Sequence, residues 1–138
     1  LAFAWQTPIV ALDTLTVIAQ QADAADRVRV AMDARRDELF AASFRRDHAG
    51  QLLVVEPTHV VHRDAWLAAA DSSLVTGPAL ERLSGKLPVD TPQADCSDWY
   101  PSAATVAQLA AGCLEQGLSV GPTELAVHYH RKTYAERD

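Results

Sequence analysis

The chain has 138 residues, 49% of them hydrophobic and 22% charged, the size and composition of one ordinary globular domain rather than of a disordered polymer. Its apolar runs, such as 52–55, are far too short to span a bilayer, and no segment has the basic, apolar, small-residue order of a secretory signal. The net charge of −6 is unevenly spread: residues 27–46 carry six arginines, while residues 47–124 hold ten acids against only Arg63, Arg82 and Lys86, an acidic body that repels phosphate backbones and argues against strong nucleic-acid binding by this chain alone.

The chain starts at Leu1, within what reads as the end of a helix. Pro8–Ala11 is an apolar run suited to a buried strand. Asp13 or Thr14 then caps a helix whose apolar positions Leu15, Ile18, Ala19 and Ala22 follow i, i+3, i+4, i+7 spacing. Arg27–Met32 alternates, with Val28, Val30 and Met32 on one face and Arg27 and Arg29 on the other. The polar stretch Asp33–Asp37 reads as a hairpin connection to a second strand, Glu38–Arg46. A turn at Asp47–Gly50 leads into a third strand, Gln51–Glu56, extended to about Val61.

The period then changes. Arg63–Ala70 is a short helix burying Trp66, Leu67 and Ala70, and Ser73–Thr76 is a brief strand ended by Gly77-Pro78. A helical turn covers Ala79–Leu83, and the proline-bearing Gly85–Tyr100 is a loop with room for one short strand around Leu87–Val89. Ser102 caps the clearest helix, Ala103–Gln116, with an apolar stripe of Val106, Leu109, Ala110, Cys113 and Leu114 and a stop at Gly117. A short extended piece is expected at Ala126–His130, before a polar end. From residue 27 the order is β-β-β-α-β-α-(β)-α. Three antiparallel strands followed by alternating helix and strand is the ribonuclease-H-like order, which actin-like ATPases use twice as two lobes; a fold alone does not assign a function.

Several chemistries can be weighed against these elements. A nuclease of this fold needs converging carboxylates for two metals, but only Asp33 stands at a strand end where one belongs. An actin-like ATPase would use the Asp33 hairpin for phosphate and Val75-Thr76-Gly77-Pro78 for adenosine, although a single glycine before proline also simply turns a strand into a helix. His59 with His62, and His128 with His130, are spaced for paired ligation, yet no cysteine or carboxylate completes four ligands. No nucleophile elbow surrounds Ser43, Ser72 or Ser73, and Cys113 falls on the expected buried face of a helix. The two cysteines, Cys96 and Cys113, fit a reducing cytoplasm. Trp5, Trp66 and Trp99 are scattered as packing residues. Arg35 and Arg36 at the hairpin tip read either as a solvated turn, partnered by Asp33, Asp37 and Glu38, or as a contact for a partner or an anion.

The segment Val30-Ala31-Met32-Asp33-Ala34-Arg35-Arg36-Asp37-Glu38-Leu39-Phe40 resembles the TsaB (YeaZ-like) signature of a hydrophobic strand, D-A-R-R/M-G-E-V-Y, and a second strand. Leu1–Ala4, Pro8–Ala11 and Thr14-Leu15 resemble the family's G-L-A…P-x-x-x-V-S-T-L passage; Val75-Thr76-Gly77 its strand-glycine step; Pro101–Gln116 its P-S-A-x-x-V-A-x-L-A helix; and Val127–Arg131 its P-x-Y-L-R. Asp37 stands where the family has glycine, Val127 where it has proline, and His130 where it has a hydrophobic residue.

This resemblance implies an α/β chain with the ribonuclease-H-like lobe of an actin-like (ASKHA) fold, a mixed sheet with flanking helices. It divides the chain into residues 1–22, a remnant of an N-terminal lobe, and residues 23–138, the C-terminal lobe. Pro8–Ala11, parted from its sheet, is then expected to pack against another copy, be displaced or be poorly ordered. The resemblance further implies a cytoplasmic, non-catalytic accessory subunit of the glycoprotease (peptidase M22) family. Such a subunit supports threonylcarbamoyl transfer to the tRNA adenosine next to the anticodon by scaffolding a TsaD-type catalytic subunit, together with a small TsaE-type ATPase. ATP and metal would belong to those partners and no cofactor to this chain, a homodimer is compatible, and a membrane is not involved. Asp33, Arg35, Arg36, Glu38, Tyr129 and Arg131 are the family-motif or partner-contact candidates, and Gly77 the loose candidate for nucleotide contact. The alternative is a metal- or ATP-dependent enzyme of the same superfamily.

Overall fold

A computed structural model describes residues 1–126 and residue 130. A four-residue helix α1 (Ala2–Trp5) precedes α2 (Thr14–Gln21). Asp13 Oδ1 accepts from the Thr16 N–H at 2.9 Å, the expected cap, and the apolar stripe that starts at Leu15 is buried. At the other end of α2, Arg46 Nη2 donates to the carbonyls of Gln20 and Ala22 at 3.3 Å each, placing a cation where the helix dipole is negative. Pro8–Ala11 forms no strand. Ile9 exchanges both backbone hydrogen bonds with Val120, an isolated antiparallel bridge outside the sheet.

Strands β1 (Arg27–Arg35), β2 (Glu38–Arg46), β3 (Leu52–His62) and β4 (Leu74–Thr76) form one sheet in the order β3-β2-β1-β4. The first three are antiparallel neighbours, and β4 lies parallel to β1, with Val30 opposite Thr76. This is the ribonuclease-H-like order read from the sequence. Pro57 is tolerated within β3 because it falls at a register shift on an edge strand, where no β2 residue is paired to it. The position beyond β4 is filled by residues 92–94, not by Leu87–Val89. Val75 N–H donates to the Pro92 carbonyl at 2.9 Å and the Ala94 N–H to the Val75 carbonyl at 3.0 Å, while Leu87 is buried in the core.

Both faces of the sheet are covered. Val28, Val30, Ala42 and Phe44 pack against Leu15, Ile18 and Ala19 of α2. On the opposite face Ala31, Leu39 and Ala41 meet Trp66 of α3 (Arg63–Ala68) and Leu80 and Leu83 of α4 (Leu80–Leu83). Arg29 lies on the face opposite Val28 and Val30, as the alternation predicts, and that face is covered too. Its side chain lies 4.8 Å from the Trp66 ring centre and donates through Nη2 to the Trp66 carbonyl at 2.8 Å. Burial lowers its pKa, against the raising influence of Asp71 and Glu56, and Nη1 is buried without a hydrogen-bond partner.

Helix α5 (Ala103–Glu115) also differs from expectation. Ser102 caps it, accepting from Thr105 N at 3.1 Å, but no residue of α5 is buried; Val106 and Leu114 are exposed and Cys113 is half-buried. The approach to α5 is held by Gln21 of α2. Its Nε2 donates to the carbonyls of Asp98 and Tyr100 at 3.2 and 2.9 Å, and its Oε1 accepts from Ser102 N at 2.6 Å.

Gly77 is fixed by a close approach. Its φ is +111°, and a Cβ there would sit 2.4 Å from the carbonyl oxygen of Ala31 in β1. Two residues on, the Ala79 N–H donates to that same carbonyl at 3.1 Å. Gly77→Ala is expected to lower the unfolding free energy by about 3 kcal/mol through clash and backbone strain. Gly85→Ala, where no atom lies within 4 Å of the new methyl, should change it by less than about 0.5 kcal/mol. Urea denaturation of the two variants would contradict this account if their midpoints coincide.

Candidate ligand and partner site at the hairpin end

The β1–β2 connection is shorter than the polar stretch that predicts it. Arg35 pairs with Glu38, with an irregularity after Asp33, so the loop is only Arg36-Asp37. Arg35, Arg36 and Asp37 have φ of 66°, 55° and 61°. Two-residue hairpin loops favour positive φ because it matches strand twist, and they normally place Asn or Gly there. Each non-glycine residue in this region costs on the order of 1 kcal/mol, so the surroundings must hold the tip in place.

They do so from three sides. Asp33 Oδ1 accepts from the Arg35 N–H at 2.6 Å, and Asp33 Oδ2 pairs with Arg82 Nη1 at 3.2 Å. The Asp37 carbonyl accepts from the Arg63 N–H at 2.7 Å, and the Asp37 carboxylate pairs closely with the Arg63 guanidinium. Arg63 Nε also reaches Asp64 Oδ1 at 2.9 Å. That hydrogen bond raises the Arg63 pKa and lowers that of Asp64, so both stay charged through the neutral range.

Behind this lattice the hairpin, α3, α4 and the turn at Ser84–Lys86 enclose an open groove of about 500 Å³. Asp33, Arg35, Arg36 and Glu38, expected as contact residues, all line it. Arg63, Glu81, Arg82, Lys86 and Tyr100 also line it, and sequence reasoning did not assign them to a site. Their shared signal is position: Arg63 follows the last residue of β3, and Arg82 and Lys86 follow the β4 turn. Tyr100 donates its hydroxyl to Glu81 Oε1 at 2.5 Å, which holds that hydroxyl above its usual pKa range. Gly77 packs against β1 behind the groove, while Pro78 and Ala79 line it. Tyr129 and Arg131 lie outside the described residues.

The chemistry available here is ionic recognition. Asp33, the carboxylate at the strand end, is held by Arg82 and the Arg35 amide. Among the described residues no group of three or more His, Cys, Asp or Glu side chains is arranged to hold a metal ion. His59 and His62 are exposed on β3, and His130 meets Phe40 edge-on with ring centres 6.2 Å apart. Arg35→Gly removes one strained φ and leaves the Asp33–amide hydrogen bond intact. We expect it to raise stability by about 0.5–1 kcal/mol, read as a higher urea midpoint, and a lower midpoint would contradict the strained-tip account.

No protein-family model and no curated protein sequence matches the chain. Solved structures do. One, described as an uncharacterized protein with similarity to peptidase YEAZ from Pseudomonas aeruginosa, is 27% identical with a TM-score of 0.75, covering 94% of this chain and 62% of its own. Another, YeaZ from Pseudomonas aeruginosa, is 28% identical with a TM-score of 0.71, covering 93% of this chain and 62% of its own. The chain thus spans under two thirds of the length of the neighbours it matches. No helix among the described residues is long and apolar enough to cross a membrane. In sequence and in its ribonuclease-H-like, actin-like fold, the chain is YeaZ-like (TsaB-like).

Proposed function

We propose that this chain belongs to a non-catalytic accessory subunit that supports threonylcarbamoyl transfer to the tRNA adenosine beside the anticodon. Its role is to hold a TsaD-type catalytic subunit in a competent state, with a TsaE-type ATPase completing the assembly. The observation that carries this reading is the likeness to YeaZ across nearly the whole chain. Two features of the chain support it. The Asp33 carboxylate is committed to Arg82 and to its own hairpin, an arrangement that builds shape rather than a metal–phosphate centre. Helix α5 carries an apolar stripe of which no residue is buried, a surface suited to packing against another polypeptide.

On this reading Arg35, Arg36 and Glu38 are contact residues and not catalytic ones, and the cofactors of the reaction, ATP and metal, reside on the partners. The tRNA is gripped elsewhere, because residues 47–124 of this chain carry a balance of −7. The protein works in the cytoplasm, where its substrate RNA is.

Reconstitution tests it. The full-length protein, the catalytic subunit, the ATPase and tRNA are combined, and threonylcarbamoyladenosine is counted by mass spectrometry of the digested RNA. We expect modification to fall at least about tenfold when this protein is omitted. Equal modification without it would remove the accessory role, and magnesium-dependent ATP hydrolysis by this protein alone would favour an enzyme of the actin-like superfamily.

A further inference from the structure

Residues 27–46 carry six arginines, and the antiparallel register of β1 and β2 sorts them to two ends of the sheet. Arg35 and Arg36 go to the hairpin. Arg27 and Arg45, far apart in the chain, become direct cross-strand partners at the other end. β1 has nine residues, so at about 3.3 Å a step this end lies roughly 26 Å from the hairpin.

Like charges set directly opposite one another weaken a strand pair, because their Cβ atoms come within about 5 Å. The chain has acids to spare, 18 against 12 bases, yet none of the described ones forms an ion pair with either arginine. Arg29, Arg46, Arg63 and Arg82 each place the guanidinium on a carbonyl or carboxylate within the fold. Arg27 and Arg45 are exposed and, among the described residues, neither side chain has a hydrogen bond or an ion pair within 4.0 Å.

Acids of the surrounding elements answer other groups. Asp23 faces Arg46 at 3.8 Å, Asp47 Oδ1 accepts from the Ala49 and Gln51 amides at 2.9 Å each, and Glu56 Oε2 accepts from the Ser43 hydroxyl at 3.1 Å. Asp71 Oδ1 accepts from the Ser73 N–H at 2.9 Å, and its carboxylate is held below the usual range first by that bond and further by Arg29 and Arg27. The field here favours a charged carboxylate, and Arg45 is left without one. Leu53, the cross-strand neighbour of Arg45 on β3, is half-buried and adds an apolar edge.

We propose that the Arg27–Arg45 pair is a docking point for an acidic polypeptide segment of a partner, two of whose carboxylates take up the facing guanidiniums. Guanidinium forks match carboxylate oxygens in pairs. Carboxylates three or four residues apart on a helix also have Cβ atoms about 5–6 Å apart, so one short acidic stretch can meet both arginines. The Leu53 edge favours a polypeptide, which brings apolar side chains beside its acids. A nucleic-acid backbone would meet the acidic body of residues 47–124 instead.

The test is fluorescence anisotropy of a labelled hexaglutamate peptide titrated with the chain, and of a labelled short RNA as second probe, in about 0.1 M salt, where screening confines each charge to about 10 Å. No other protein is present, so the outcome does not depend on the accessory role proposed above. We expect hexaglutamate to bind with a Kd of about 1 mM or tighter, weakened about three- to fivefold in Arg27→Gln and in Arg45→Gln and about tenfold or more in the double variant. Lys86→Gln removes one charge at the hairpin end and should leave the affinity within about twofold of the natural sequence. Urea midpoints of the arginine variants at or above that of the natural sequence show that they fold, since the like-charge repulsion is gone. No anisotropy change up to about 2 mM chain overturns the proposal. So does unchanged affinity in the double variant, an equal loss in Lys86→Gln, or tighter binding of the RNA than of the peptide.

Discussion

The carbonyl of Ala31, midway along β1, accepts the Ala79 N–H at 3.1 Å, and the groove at the hairpin end depends on that contact. It requires the chain leaving β4 to pass so close to β1 that residue 77 can carry no Cβ. Once the turn is docked, Leu80 and Leu83 fall into the core beneath the sheet, and α4 projects Glu81 and Arg82 towards the hairpin tip. Arg82 then meets Asp33, whose other oxygen holds the strained Arg35 amide. A backbone hydrogen bond in the core thus sets the position of charges at the surface. It also gives Gly77 a packing role of its own.

The electrostatics follow from the same geometry. Within residues 47–124 bases are scarce, and all three, Arg63, Arg82 and Lys86, collect where α3, α4 and the following turn reach the hairpin. Interleaved carboxylates keep the arginines in place and limit their mutual repulsion. Exposed ion pairs of this kind contribute little stability, so the arrangement is better understood as positioning than as a source of folding energy.

Much of this was legible in the sequence wherever one face of an element decides its pattern. Helix α2 has an N-cap and one apolar stripe, and both are realised. The strand order followed from three alternating segments and a change of period. The failures share a cause, which is that tertiary coverage is invisible to local pattern. Alternation puts Arg29 opposite Val28 and Val30 but does not show that Trp66 closes over it. Helix α5 reads as a core helix because it has a stripe, but pattern does not reveal whether anything lies against the stripe. The hairpin loop reads long because its last strand residue and both loop residues are polar and left-handed, and φ is not written in composition. The groove's second half was missed because Arg63 is distant in the chain from Arg82 and Lys86, and all three are distant from the hairpin they reach in the fold.

The claim that one docked turn organises the site can be tested by amide hydrogen exchange at Ala79 and Arg35, whose N–H groups donate to Ala31 and Asp33. The account predicts that both are protected in the natural sequence and that Gly77→Ala removes protection from both, because α4 no longer delivers Arg82 to Asp33. Loss of protection at Ala79 with Arg35 unchanged would show that the hairpin holds itself, and would contradict the account.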